Sequence, residues 1–232
     1  MLKDLKEAVC AANRLLPAYG LVRLTWGNVS AVDRERGVMV IKPSGQPYGE
    51  MTPEDMITVD LQTGQVVEGT RRPSVDAETH LELYRTFPQI KSIVHTHSKW
   101  ATVWAQAGKP VPALGTTHAD EFLGDVPCTR EMRPEEIQTN YEQNTGRVIA
   151  EKLWEREVFS SGAVLVRNHG PFVWGETTQK AVEMAVVLEE AADMAWHTAI
   201  LCGGTPPRMM DELLNKHFYR KHGEAAYYGQ PS

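Results

Sequence analysis

Val94-His95-Thr96-His97 is the segment whose residue types and spacing come closest to chemistry. On a strand, residues two apart share a face and lie about 7 Å apart along the chain. Two imidazoles so placed can hold one metal ion with nitrogens at about 2.0–2.1 Å, but zinc and its relatives want three or four ligands. The candidate third ligands are His169, in Arg167-Asn168-His169-Gly170 where a buried strand runs into a glycine turn, and Asp76, in Ser74-Val75-Asp76. The alternative is a pair of histidines hydrogen-bonded within a polar sheet face. Spacing alone does not decide between the two.

Two further segments have the character of anion sites. Thr25-Trp26-Gly27-Asn28-Val29-Ser30 and Lys42-Pro43-Ser44-Gly45 each set glycine amides beside Asn, Ser or Lys, groups suited to a phosphate monoester. Two ordinary turns are the plainer account. Neither segment matches a P-loop or a dinucleotide fingerprint, so nothing supports nucleotide binding. His118 and Asp120 lie in Gly115-Thr116-Thr117-His118-Ala119-Asp120, a flexible loop by composition, and Tyr227-Tyr228 lies in a polar tail where surface decoration is the default. His80 and His197 fall inside helical patterns, as packing or solvated groups. His217 and His222 accompany Lys216, Arg220 and Lys221 on a basic helix, read as a solvated face or as a rim that attracts phosphate.

The elements that must position these residues are legible from periodicity. Leu2, Leu5, Val9, Ala12 and Leu15–Leu16 recur at helical spacing, so the chain opens with an amphipathic helix ending near Pro17–Gly20. Strands are expected at 21–25 and 38–41, separated by a turn at 33–37. A helix start is expected at Thr52-Pro53-Glu54-Asp55, and a hairpin over 57–61 and 65–68 around Gln62-Thr63-Gly64. A helix over 76–87, a strand over 91–97 and a helix over 99–107 closed by Gly108 follow. The stretch 110–133 reads as loops around short strands. Ser160-Ser161-Gly162 leads into a buried strand at 163–167. The longest helix runs from about Thr177 to Leu201, closed by Gly203-Gly204, with Glu189, Asp193 and His197 as a stripe facing water. A last helix is expected over 208–222. Helices and strands interleave without repeat or linker, which favours one α/β domain over 1–232.

The 232 residues carry 24 Lys+Arg against 30 Asp+Glu, a net charge of −6, so no basic footprint for nucleic acid is present. No apolar run approaches the roughly 18 residues of a membrane span, and no signal peptide is visible at the start. Cys10, Cys128 and Cys202 are odd in number and far apart, as in a reduced cytoplasmic protein rather than a disulfide framework.

Taken together, the motifs resemble the class II, metal-dependent aldolase family and its ketopentose-phosphate epimerases. The match spans essentially the whole chain. It rests on Leu24-Thr25-Trp26-Gly27-Asn28-Val29-Ser30, Ile41-Lys42-Pro43-Ser44-Gly45, Ile93-Val94-His95-Thr96-His97-Ser98, Gly115-Thr116-Thr117-His118-Ala119-Asp120 and Asn168-His169-Gly170-Pro171. His222-Gly223 and Ala226-Tyr227-Tyr228-Gly229-Gln230 complete it. The resemblance implies a three-layer αβα domain with a central, largely antiparallel sheet, assembled as a homotetramer with sites at subunit boundaries. It implies one divalent ion per chain, zinc, on His95, His97 and His169, with Asp76 near the fourth position. Gly27, Asn28, Ser44, Gly45, Ser74 and the Val75 backbone would line a phosphate pocket with Lys42 close by. Thr116, and more weakly His217 and Arg220 of a neighbouring subunit, would contact substrate, while Asp120 and Tyr228 would be the acid/base pair.

The implied activity is the interconversion of L-ribulose 5-phosphate and D-xylulose 5-phosphate, in pentose breakdown fed from L-arabinose or L-ascorbate. Relatives usually carry a second serine where this chain has Val75. The rival readings are a sugar-phosphate aldolase of the fuculose-phosphate type, which has glutamate as its base near the Asp76 position, and a non-catalytic oligomer stabilised by zinc.

Overall fold

In a computed structural model that describes residues 2–154, 162–222 and 226–228, seven strands form one sheet. Ser160, Ser161, Gly223, Gly229 and Gln230 lie outside the described residues. The strands are β1 (Gly27–Asp33), β2 (Val38–Ile41), β3 (Ile57–Asp60), β4 (Val66–Glu68), β5 (Ser92–Thr96), β6 (Ala163–Val166) and β7 (Gly170–Gly175). They lie in the order β4-β3-β2-β1-β5-β7-β6, and every neighbouring pair is antiparallel. The helices are α1 (Leu2–Ala18), α2 (Ala77–Thr86), α3 (Lys99–Ala107), α4 (Thr116–Ala119), α5 (Pro134–Gln138), α6 (Tyr141–Trp154), α7 (Thr178–Leu201) and α8 (Asp211–Lys221).

Strand alternation divides the core in two. Val29, Ala31, Val40, Val94 and Val173 pack against α1, α3 and α7 on one face. Met39, Ile41, Ile57, Ile93, Phe172 and Trp174 pack against α2 and α6 on the other. Both faces are covered, so the strands are nearly continuous apolar runs and the molecule is the expected αβα sandwich. Polar residues inside these runs are tied down. Ser30, on the α2 face, bonds His80 Nδ1 at 2.7 Å and the Tyr84 hydroxyl at 2.8 Å.

Several expectations need correction. The strand expected at 21–25 is not formed. Leu21 and Val22 are buried against the core, but Leu24 has φ +50 and is exposed, and the Trp26 N–H turns back to the Arg23 carbonyl. Pairing starts only at Gly27, where φ is +151 and an added Cβ would lie 2.9 Å from the His95 carbonyl. The helix start at Thr52 gives a single 3-10 turn, Pro53–Asp55. Residues 116–119 form α4 rather than a flexible loop, with His118 buried and its Nε2 donating to the Gly124 carbonyl at 2.7 Å. Glu189 does not face water. Its carboxylate accepts from the backbone N–H groups of Trp100 at 2.8 Å and Ala101 at 3.0 Å, capping the start of α3. Helices α5 and α6 and strand β7 were not expected at all.

Candidate active site

Register does what spacing alone does not. Asn28 at the start of β1 pairs with His95 near the end of β5, and His95 pairs with Phe172 on β7. The Lys42–Gly45 turn after β2, the opening of β1, the end of β5 and the β6–β7 turn therefore reach the same edge of the sheet. There they line a cavity of about 690 Å³.

At its centre are His95, His97 and His169, whose candidate ligand nitrogens all lie within 4.8 Å of one another. The ring centroids stand 5.1 Å apart for His95–His97, 4.8 Å for His95–His169 and 4.9 Å for His97–His169. His95 Nδ1 faces the Pro171 carbonyl at 2.9 Å. A carbonyl only accepts, so Nδ1 carries a proton, and in the neutral ring Nε2 is then the one with a bare lone pair. That Nε2, and Nδ1 of His169, are buried without a hydrogen-bond partner. The ring of His95 is stacked on Phe172 at 4.2 Å. Burial, reinforced by the neighbouring imidazoles, pushes His169 down to about 3, and burial also lowers His97. Neutral imidazoles with unsatisfied inward nitrogens are the form a divalent ion binds, so the residues present fit such an ion. The hydrogen bond from His95 to a backbone carbonyl is the support metal-ligating histidines usually have.

Asp76 is not part of the trihistidine cluster but stands on the same cavity wall. It is the N-cap residue of α2, yet its side chain makes no capping bond. Its Oδ2 accepts from Asn28 Nδ2 at 2.7 Å and from the Ser74 hydroxyl at 3.3 Å. Burial raises its pKa, yet the carboxyl stays below its usual value, with the Asn28 amide donating to it.

Gly27, Asn28, Lys42, Ser44, Gly45, Ser74 and Val75 also line the cavity, as expected of a phosphate pocket. Lys42 is 2% exposed. Burial pushes its ammonium down to about 8 against the opposing pull of Asp76. Val75 is two-thirds exposed, without the hydroxyl a serine would offer there.

Thr116, Asp120, His217, Arg220 and Tyr228 are elsewhere. They do not line this cavity. Instead α8 docks on α4 through charge. Arg220 grips Asp120 with Nε at 3.0 Å and Nη2 at 2.8 Å, and His217 Nδ1 donates to the same carboxylate at 2.9 Å. His222 Nε2 donates to the Asp120 carbonyl at 2.9 Å. The neighbouring Glu121 accepts from Lys180 at 2.8 Å and Lys221 at 2.6 Å. His217, Arg220, Lys221 and His222 of the basic helix thus turn onto Asp120 and Glu121, while Lys216 stays exposed. Burial would raise the Asp120 carboxyl, but the bonds from Arg220 and His217 hold it below its usual value. The Arg220 guanidinium lies over the Tyr228 ring at 4.5 Å.

The sequence reasoning missed Thr102, Gln106, Tyr141, Glu142 and Asn168, all of which line the cavity. One signal was available for two of them. Thr102 and Gln106 are one helical turn apart in a helix that is otherwise apolar after Lys99 and that follows closely on the histidine strand.

The chain is similar to known proteins in sequence and in fold. A family model described as the class II aldolase and adducin N-terminal domain matches residues 7–196. L-ribulose-5-phosphate 4-epimerase UlaF of Salmonella paratyphi A is 56% identical over 229 residues, covering 99% of this chain and 100% of its own. The protein of the same name from Salmonella typhi gives the same figures. Among solved structures, an L-fuculose 1-phosphate aldolase superimposes with a TM-score of 0.77 at 28% identity, covering 94% of this chain and 95% of that one.

Proposed function

The chain belongs to the class II aldolase and adducin family, and from that premise we propose that it interconverts L-ribulose 5-phosphate and D-xylulose 5-phosphate. The observation that carries the proposal is the opening of a three-histidine cluster, two of its nitrogens buried and unpartnered, onto the same cavity as a buried lysine and a glycine- and serine-rich anion cradle. A ketose phosphate needs both groups.

The substrate sets the logic. Its carbonyl is at C2, so the proton on C4 is not acidic and simple deprotonation there cannot invert the centre. Breaking C3–C4 gives the enediolate of dihydroxyacetone and glycolaldehyde phosphate, and closing the bond on the other face of the aldehyde gives the epimer. A divalent ion held by His95, His97 and His169 would act as a Lewis acid on the C2 and C3 oxygens, offsetting the charge that develops there. Lys42, Asn28, Ser44, Gly45 and Ser74 keep the aldehyde fragment from leaving by holding its phosphate. Asp76 orients the Asn28 amide. As C3–C4 breaks, the C4 hydroxyl gives up its proton, and it is reprotonated as the bond re-forms on the other face. Asp120 and Tyr228 serve these two faces as acid and base.

Asp120 and Tyr228 lie outside the cavity of their own chain, so in this reading a neighbouring subunit supplies them. A homotetramer is the assembly the family resemblance implies. Three neutral nitrogen donors favour zinc. Three unpaired cysteines suit the cytoplasm, and no helix among the described residues is long and apolar enough to cross a membrane. The metabolic setting is pentose breakdown fed from L-arabinose or L-ascorbate.

The aldolase reading draws on the likeness to L-fuculose 1-phosphate aldolase. A coupled assay for D-xylulose 5-phosphate formed from L-ribulose 5-phosphate, run beside an assay for free glycolaldehyde phosphate, separates the two. Epimer without free aldehyde is expected. Aldehyde released at the rate of turnover with no epimer would replace the epimerase reading with an aldolase.

A further inference from the structure

The sheet edge acts as a ruler across the cavity. Ser44 and Gly45 follow β2, Asn28 is near the start of β1, His95 is near the end of β5, and Asn168 and His169 turn from β6 into β7. These elements lie side by side in that order. At about 4.7–4.9 Å between neighbouring strands, the three steps from β2 to β7 cover about 14 Å. That is room for a five-carbon chain with a phosphate at one end and the side chains that hold it. With the phosphate over β2 and β1 and the C2 and C3 oxygens at the histidines, the C1 hydroxymethyl group points past the histidines. There it meets α3 and the β6–β7 turn.

What waits there is polar and unused. Thr102 and Gln106 both line the cavity, while Ala101 and Ala105 of the same helix are buried in the core. The Thr102 hydroxyl oxygen is buried with no hydrogen-bond partner. The wall is fixed in place. The Asn168 N–H, at a left-handed φ of +62, donates to the Ala105 carbonyl at 3.0 Å, tying the turn to α3. At Gly170 an added Cβ would lie 2.7 Å from the Thr96 carbonyl and 3.5 Å from the Thr102 hydroxyl, so strand end, turn and helix are in close contact.

We propose that Thr102 and Gln106 bind the C1 hydroxyl of the ketose phosphate and select for substrates that carry it, an assignment that rests on the epimerase reading above. The test compares kcat/KM for L-ribulose 5-phosphate with that for its 1-deoxy analogue in wild type, Thr102→Val and Gln106→Leu. Each enzyme supplies its own ratio, so a partly folded preparation affects both substrates alike. Wild type should favour the hydroxylated substrate by about tenfold or more, the worth of one lost hydrogen bond that leaves a buried partner unpaired. In each variant the ratio should fall to within about threefold. Equal kcat/KM for both substrates in a wild type that epimerises overturns the C1 assignment alone, as does a wild-type ratio retained in both variants. A wild type that forms no epimer from L-ribulose 5-phosphate overturns the epimerase reading and this assignment with it.

Discussion

Mixing two inactive variants should restore activity. A group that moves the C4 hydroxyl proton must come within about 2.6–3.2 Å of it, or reach it through one water. Asp120 and Tyr228 are absent from the cavity that holds the histidines, and Tyr228 lies half-exposed against Arg220 on α8. If both groups act, they act in a neighbour's site. Tyr228→Phe is the cleaner partner for the experiment, because Asp120→Asn would also loosen the grip of Arg220 and His217 that docks α8. His97→Asn supplies the other inactive chain. Each variant alone should fall by about 10²–10⁴-fold or more.

In a closed ring of identical contacts, each site takes its histidines from one chain and its tyrosine from the next. A site is whole only when a Tyr228→Phe chain offers the histidines and a His97→Asn chain offers the tyrosine. Random assembly at equal amounts makes about a quarter of the sites whole, so about a quarter of wild-type activity should return. The assay is D-xylulose 5-phosphate formation after co-refolding, with mixed oligomers verified by differently tagged chains. Activity no higher than the average of the two parents in verified mixed oligomers refutes shared sites, and with them the roles given to Asp120 and Tyr228.

Three further outcomes are expected. His97→Asn should drop the divalent metal content from about one ion per chain to a small fraction while unfolding stays cooperative, because a core of this size stands without the ion; retention of metal by elemental analysis would remove His97 from the ligand set. The Lys42 ammonium has its folded pKa lowered from 10.5 to about 8 by burial, so the phosphate contact proposed for it should be present below about pH 8 and lost above it. The limb of kcat/KM that falls above pH 8 should vanish in Lys42→Met, together with about 10–100-fold of activity below it; a profile unchanged by the substitution would contradict the phosphate role. Val75→Ser returns a hydroxyl to the exposed cavity wall and should lower KM about fivefold at unchanged kcat, about 1 kcal/mol for one added hydrogen bond; an unchanged KM would show that the phosphate does not reach this position.

The elements legible in the sequence are those whose apolar spacing is their own. α1, the β3–β4 hairpin, α2, β5, α3, β6 and α7 lie within a few residues of where periodicity puts them. Those that escaped carry residues whose reason lies in a partner. α6 has Gly146 at its middle, which reads as a breaker. A Cβ there would lie 2.6 Å from Glu82 Cβ and 3.0 Å from the Thr79 carbonyl, so the glycine is what lets α2 and α6 pack. β7 opens Gly170-Pro171 and closes on Gly175, a composition that argues against an interior strand. Yet Pro171 pairs with Leu165 of β6 and gives its carbonyl to His95 Nδ1. The residue that hides the strand orients His95, a proposed metal ligand.

The same division runs through the site. His95 and His97 are legible as a pair because one strand sets their spacing, and the pair would exist on any strand. Their meaning depends on His169, which reaches them only because β7 lies beside β5 and the turn before it is held by the left-handed Asn168. The residues proposed to hold the phosphate are a separate local signal, weak in isolation. They gain force because antiparallel register sets Asn28 opposite His95. Asp120 and Tyr228 are further removed still. Their sequence context reads as loop and tail, and within one chain the fold binds them to α8 charges instead of to the cavity. A residue that completes its site in another subunit leaves no trace in the spacing of its own chain. That is why one strand shows the histidine pair while its proposed metal role depends on His169 from another, and why the roles proposed for Asp120 and Tyr228 come from resemblance rather than from spacing.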